Sequence, residues 1–100
     1  MDDNIGSDGW VSVRIPPGLH GRTANRRLVR VRGGTIRDII DALEREHPGL
    51  RFTLCHETGE LRPFVNLFLE RENVRYLQGL DTPVPPEATV HIIHSVAGGV

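Results

Sequence analysis

Hydrophobic and polar positions alternate with a period near two at the start of the chain. Residues 10–15 and 26–32 are rich in β-branched side chains that alternate, at least in part, with polar ones, which is typical of strands. A Pro-Pro-Gly sequence at 16–18 ends the first segment and a Gly-Gly pair at 33–34 ends the second. This pattern predicts that the chain opens with a hairpin.

The period then lengthens to that of a helix. Thr35 stands three residues before Asp38, the spacing at which a hydroxyl caps the first turn of a helix. Aliphatic residues follow at the spacing i, i+3, i+4, i+7, at positions Ile36, Ile39, Ile40 and Leu43. Proline and glycine at 48–49 predict where this amphipathic helix ends.

The second half of the chain returns to strand patterns. Residues 64–69 and 89–93 predict two strands, and residues 74–77 a short extended segment after a turn at 70–73. An irregular loop is expected over 51–63, in which a short extended piece remains possible. The order β-β-α-β-β predicts an α+β domain over residues 10–94, with one mixed sheet packed on one main helix. Residues 1–9 and 95–100 lack periodicity and are predicted to be flexible ends.

Composition narrows the class of protein. With 38% hydrophobic and 25% charged residues, the chain has the usage of a folded domain and not of a disordered one. Its net charge of -1, with both signs interspersed, argues against nucleic acid as a partner. No apolar run reaches the roughly 18 residues of a membrane span. A single cysteine, Cys55, and the lack of a signal-peptide pattern favour the cytoplasm.

Three groupings of polar residues resemble functional sites, and the sequence favours none of them. His91 and His94 are three apart, which puts them on opposite faces of a strand and disfavours a shared metal. Cys55 and His56 are adjacent and have no evident third group to orient a base. Arginines gather around the second strand and are expected to form a solvated hairpin face instead of a phosphate site: Arg22, Arg26, Arg27, Arg30 and Arg32.

The C-terminal end carries the most specific pattern, because a Gly-Gly pair follows the last predicted strand. Here the chain resembles the MoaD/ThiS family of sulfur carriers, bacterial relatives of ubiquitin, and it is most similar to the CysO-like branch. The resemblance covers nearly everything from Trp10 onward and implies the ubiquitin-like β-grasp fold. It rests on three segments: Phe64-Val65-Asn66, residues 74–83 and the ending Val96-Ala97-Gly98-Gly99.

This resemblance implies a cosubstrate and not an enzyme, with no bound cofactor. A ThiF/MoeB-like enzyme would use ATP to adenylate the carboxylate of Gly99, and a sulfur donor would displace AMP to leave a thiocarboxylate. A sulfur-accepting enzyme would then use it to make cysteine or a sulfur-containing natural product. Three alternatives stay open: the small subunit of molybdopterin synthase, a ubiquitin-like protein modifier, and a plain interaction module with an inert tail.

Val100 departs from the mature ending of the family. With Val100 terminal, the carboxylate would lie one residue too far along and beside a β-branched side chain. We therefore expect a JAMM-type metalloprotease to hydrolyse the Gly99–Val100 bond before activation. A residue left by cloning is the alternative.

Strand alternation also predicts a docking surface beside the tail. Val65, Leu67 and Leu69 should face the helix together with Val90 and Ile92, because alternate side chains share a face. Three side chains should then point outward and form an exposed, partly apolar patch for the activating enzyme: Phe68, His91 and Ile93. The alternative is that one of the three packs beneath a loop.

Overall fold

The computed structural model describes residues 9–94. Most of the predicted N-terminal end and all of the predicted tail, including Val96, Ala97, Gly98, Gly99 and Val100, lie outside the described residues. The strands are β1 (Trp10–Arg14), β2 (Leu28–Arg32), β3 (Val65–Leu69), β4 (Glu72–Asn73) and β5 (Thr89–His94), and the helices are α1 (Ile36–Glu46) and α2 (Leu50–Leu54). Short 3-10 helices cover Pro17–Arg22, Val74–Tyr76 and Gly79–Asp81.

The five strands form one mixed sheet in the order β2-β1-β5-β3-β4. Strand β1 pairs antiparallel with β2 and parallel with β5, and β3 pairs antiparallel with both β5 and β4. Strand β5, the last strand within residues 9–94, therefore lies at the centre of the sheet. This arrangement confirms the predicted α+β fold with a mixed sheet and one main helix.

Helix α1 covers one face of the sheet, and its N-terminus is capped as predicted. The Oγ1 of Thr35 accepts a hydrogen bond from the amide of Asp38 at 3.1 Å, while Asp38 Oδ2 accepts one from the amide of Gly34 at 3.3 Å. The aliphatic positions of the helix are buried in the core with the inward side chains of the sheet, where full burial of each is worth roughly 1.5–3 kcal/mol. None of the helices in residues 9–94 is long and apolar enough to cross a membrane.

The predicted loop over residues 51–63 is wrong in its first part, which forms α2. Gly49 has a φ of 100°, a left-handed conformation that turns the chain out of α1. Leu50 and Leu54, four residues apart, are both fully buried and anchor one turn of helix. The extended piece that remained possible appears as an isolated bridge between Cys55 and Leu61.

The predicted extended segment at 74–77 is also wrong, because Val74–Tyr76 is a 3-10 helix. The side chain of Asn73 caps it by accepting a hydrogen bond from the amide of Arg75 at 2.9 Å. The extended residues are Glu72–Asn73, which pair with the end of β3 and form β4. Glu70, with a φ of 55°, makes the turn between these strands, so the turn is shorter than the predicted 70–73.

Candidate docking face and tail root

Strand β5, which leads into the tail, is paired with two neighbouring strands along different parts of its length. Its first half pairs with β1, and its length from Val90 to His94 pairs with β3, where His94 lies opposite Val65. The first half of β5 is therefore held on both sides, whereas its end, from Ile92 to His94, is held by β3 alone. The last described residue, His94, is still part of the sheet.

The three residues predicted as a docking patch are neighbours on the outer face of the sheet. Phe68 lies opposite His91 in the β3–β5 pairing, and Ile93 lies one position further along the same face. Ile93 is 47% exposed, while Phe68 and His91 are half-buried. Together with Glu70 and Arg71 they line a shallow depression of about 480 Å³. The structure thus brings together an apolar centre and a charged rim, and we call these three side chains the docking patch.

The inward positions of the same strands follow the predicted alternation. Val65 and Leu67 are buried and Leu69 is partly buried against the core. Val90 and Ile92 are buried, with 1% and 3% of their surface exposed. The alternation confirms which face of the sheet the helix covers.

Arg75 holds the start of β3 beside the tail root, a role that sequence reasoning missed. Its Nη2 donates hydrogen bonds to the carbonyls of Arg62 at 2.8 Å and Val65 at 2.7 Å, and its Nε donates to Asn66 Oδ1 at 3.1 Å. Asn73 Nδ2 donates to the same Asn66 oxygen at 3.2 Å. Asn66 and Arg75 both fall in segments that carried the family resemblance, which was the available signal for this network.

The structure also places the three polar groupings of the sequence. Burial raises the pKa of the Cys55 thiol, which is only 3% exposed, so it is protonated and shielded near neutral pH, whereas the neighbouring His56 is exposed. His91 shares the outer face with Ile93, and His94 belongs to the alternate face, as predicted. Within residues 9–94, potential metal ligands do not gather in groups of three or more.

The arginines of the second strand lie on the exposed outer face of the hairpin, as predicted. Arg30 and Arg32 alternate with buried valines, and their guanidinium carbons lie 5.6 Å and 4.5 Å from the centre of the Trp10 ring. These distances fit cation–π stacking. The stacking orders the two side chains beside the first strand.

Comparison with known proteins identifies the relatives of this chain. The model of the ThiS family matches residues 22–99. The sulfur carrier protein CysO of Mycobacterium tuberculosis is 34% identical over 91 residues, which cover 89% of this chain and 98% of that protein. Its crystal structure superimposes with a TM-score of 0.82 at 32% identity, covering 86% of this chain and 99% of the other.

Two further relatives extend this comparison. A chain of the Amycolatopsis orientalis BexX/CysO complex has a TM-score of 0.83 and 36% identity, with 89% of this chain and 99% of that chain covered. Small archaeal modifier protein 3 of Haloferax volcanii is 35% identical over 65 residues, which cover 65% of this chain and 70% of that protein.

A mixed sheet with its last strand at the centre and one main helix across its inner face defines a ubiquitin-like β-grasp protein. The chain belongs to the ThiS family. Both the predicted fold and the predicted family are thereby confirmed, as is the prediction of a carrier and not an enzyme. The roles of the tail residues and of the docking patch stay predictions.

Proposed function

We propose that this chain is a sulfur carrier protein that bears its sulfur as a thiocarboxylate on Gly99. The observation that carries the proposal is the ThiS family match, which runs through residue 99 and so includes the Gly-Gly pair. The CysO relative, named a sulfur carrier protein, aligns over nearly its whole length. Together these similarities support the tail segment Val96-Ala97-Gly98-Gly99 as the functional end.

Activation of the tail requires an enzyme because a carboxylate is a poor electrophile. In the proposed reaction, a ThiF/MoeB-like enzyme attaches the Gly99 carboxylate to the AMP moiety of ATP, releasing pyrophosphate. A sulfide-level nucleophile then attacks the acyl carbon, the bond to AMP breaks, and the thiocarboxylate remains. ATP is bound and consumed by that enzyme, so the carrier needs no cofactor. Glycine lacks a Cβ, which lets the backbone approach the nucleotide closely.

Val100 has to be removed before this reaction can take place. In this sequence Val100 follows Gly99, so the carboxyl group of Gly99 is held in a peptide bond, and the family match ends at residue 99. A JAMM-type metalloprotease that hydrolyses the Gly99–Val100 bond would produce the reactive end. The full chain is in this view a precursor.

The docking patch is the surface on which the activating enzyme would first engage the carrier. It lies on the outer face of β3 and β5, and β5 leads directly into the tail. An enzyme that binds Phe68, His91 and Ile93 would therefore contact the strand that continues into the tail. Aromatic and aliphatic side chains at the centre of a polar rim are typical of protein interfaces.

A sulfur-accepting biosynthetic enzyme would be the next partner. The CysO protein of Amycolatopsis orientalis has been solved in a complex with BexX, which supports a protein as the receiver of such a carrier. The product, cysteine or a sulfur-containing natural product, depends on the identity of that enzyme.

Adenylation assays on chains of three lengths would test the proposal. The full chain, a chain ending at Gly99 and a control ending at Gly98 would be incubated with the activating enzyme and ATP, and pyrophosphate exchange measured. We expect exchange only with the chain ending at Gly99, and intact mass should show one oxygen replaced by sulfur once a sulfur donor is added. Equal exchange with the full chain would refute the role of Val100, and no exchange with any chain would refute the carrier function.

A protein modifier is the second candidate, supported by the similarity to small archaeal modifier protein 3. The same activated carboxylate would then be attacked by a lysine amine of a target protein. Trypsin would cut the carrier last after Arg75, because no lysine or arginine follows it. A conjugate would therefore appear as a branched peptide whose attached chain starts at Tyr76. Finding this peptide in place of a thiocarboxylate would favour the modifier.

A further inference from the structure

A groove of about 550 Å³ lies beside the docking patch, on the side toward β1. It shares His91 and Ile93 with the patch and extends from there to the turn after β1. We call it the arginine groove. Its lining consists of Arg14, Ile15, Pro16, Pro17, His20, Arg27, His91, Ile92 and Ile93.

The charged side chains that line this groove are positive. Arg14 and Arg27 are exposed, two histidines stand beside them, and the described residues that line the groove include no carboxylate. Elsewhere in the described part of the chain, Arg37 and Arg51 are paired with aspartates at 3.1 Å and 2.8 Å. The structure shows no such ion pair for Arg14 or Arg27 within residues 9–94. Two guanidinium groups beside an apolar floor therefore face solvent at the tail root.

The walls of the groove are fixed before any partner binds. Pro16 and Pro17 have restricted backbones, and the 3-10 helix that follows is anchored by Leu19, which is 3% exposed. His20 Nε2 donates a hydrogen bond to the carbonyl of Ile15 at 3.0 Å. The amide of Ile15 donates to the carbonyl of Arg27 at 2.8 Å, which ties the two sides together. A preformed groove loses little conformational entropy on binding.

We propose that the arginine groove binds an acidic segment of the adenylating enzyme, one that also places an apolar side chain against Ile93 and the prolines. This inference rests on the proposed carrier function. A guanidinium group can bind a carboxylate through two parallel hydrogen bonds, so two arginines could fix the register of such a segment. Because the groove adjoins the docking patch, the same enzyme would cover both. The docking patch would supply apolar contact and the arginine groove would supply attraction and orientation.

Charge reversal in the groove tests this inference. The variants Arg14→Glu, Arg27→Glu and the double variant would be made in the chain ending at Gly99. Arg45→Glu on the exposed side of α1 is the matched control, since it makes the same change of charge far from the sheet face. Adenylation by the activating enzyme would be measured at salt concentrations from about 20 to about 300 mM. Over this range the Debye length falls from well above about 10 Å to below it, so the attraction between exposed charges weakens.

We expect the KM for the carrier to rise at least about tenfold in the double variant at low salt, with little change in kcat. The KM of the unaltered chain should rise with salt, and that of the double variant should rise less. Circular dichroism and thermal melting would establish that all variants are folded. A short glutamate-rich peptide should inhibit adenylation of the unaltered chain more than adenylation of the double variant. A chloride solution of equal ionic strength should not reproduce this difference.

Three results would overturn the inference alone. Unchanged KM in the double variant would show that the groove is not used, and an equal rise in Arg45→Glu would show an effect of net charge only. Stronger inhibition by inorganic phosphate than by the acidic peptide would assign the groove to a small anion and also overturn it. No adenylation of the unaltered chain would instead refute the carrier function, and the groove's proposed role with it.

Discussion

Two adjacent glycines before α1 have different structural requirements. A methyl carbon at Gly33 would lie 2.8 Å from Asp38 Cβ and 3.0 Å from both the carbonyl carbon of Asp38 and the amide nitrogen of Ile39. At Gly34 the nearest atom would be Asp38 Oδ2 at 3.9 Å, an ordinary contact. Gly33 is therefore needed because the chain passes close to the first turn of the helix, whereas Gly34 is not.

We predict that Gly33→Ala destabilises the protein by about 1–3 kcal/mol, because backbone atoms of α1 would have to shift. Gly34→Ala is the matched control, and it should be neutral or stabilising by up to about 1 kcal/mol because it restricts the unfolded chain. Urea unfolding of both variants measures the difference. Equal stability of the two variants would contradict the close approach at Gly33.

At the scale of elements, the short helix α2 depends on a carboxylate from the helix before it. Glu44 accepts hydrogen bonds from the amides of Gly49 at 3.2 Å and Arg51 at 2.9 Å. The amide of Arg51, followed by that of Gly49, lowers the pKa of Glu44 below its ordinary value. A lowered pKa means that the folded state prefers the charged carboxylate.

Glu44→Gln should therefore lower stability at neutral pH, and the difference from the unaltered protein should disappear in acid. The stabilisation by Glu44 is fully present above the ordinary glutamate pKa of about 4.3 and is lost as the pH falls through the lower folded value. Urea midpoints measured from pH 7 to pH 2 would show this convergence. Glu46→Gln, which makes the same change at an exposed position of the same helix, is the control. A constant difference for Glu44→Gln at all pH values would contradict the mechanism.

The elements that could be predicted from the sequence are those whose own residues form a pattern. Helix α1 has four aliphatic positions at helical spacing and a cap within its own sequence, so its pattern was sufficient to predict the helix. Helix α2 has only Leu50 and Leu54 as buried anchors, and its N-terminus is completed by a side chain from the preceding helix. Strand β4 contains two residues, too few to show alternation. Elements stabilised mainly by contacts with other elements leave little local signal.

At the scale of the whole molecule, the same difference applies to the surface near the tail. The positions of the three side chains of the docking patch could be predicted because alternation along two strands determines which side chains point outward. The arginine groove could not, because its side chains come from β1, the turn after it, the residue before β2, and β5. Their proximity depends on the strand order, in which β5 lies beside β1 despite the distance between them in the sequence.

The docking patch can be tested with two phenylalanines that lie on different sides of the molecule. Phe68 lies on the outer sheet face beside His91. Phe52 belongs to α2 and is 63% exposed, and the guanidinium carbon of Arg62 lies 4.8 Å from the centre of its ring. We predict that Phe68→Asp raises the KM for adenylation at least about tenfold, as loss of a central aromatic contact does at interfaces. Phe52→Asp, the matched control, should leave adenylation unchanged.

Because Phe68 is half-buried, a loss of activity has to be separated from a loss of folding. Thermal melting of both aspartate variants, together with a milder Phe68→Ala variant, makes this separation. A folded Phe68→Asp protein with weak activation and a folded Phe52→Asp protein with normal activation would place the enzyme on the outer sheet face. Normal activation of Phe68→Asp, or equal weakening by Phe52→Asp, would mean that the enzyme recognises the tail without this face. The arginine groove shares His91 and Ile93 with the patch. Its proposed role in binding the enzyme would then be supported by its charge and no longer by its position beside a docking surface.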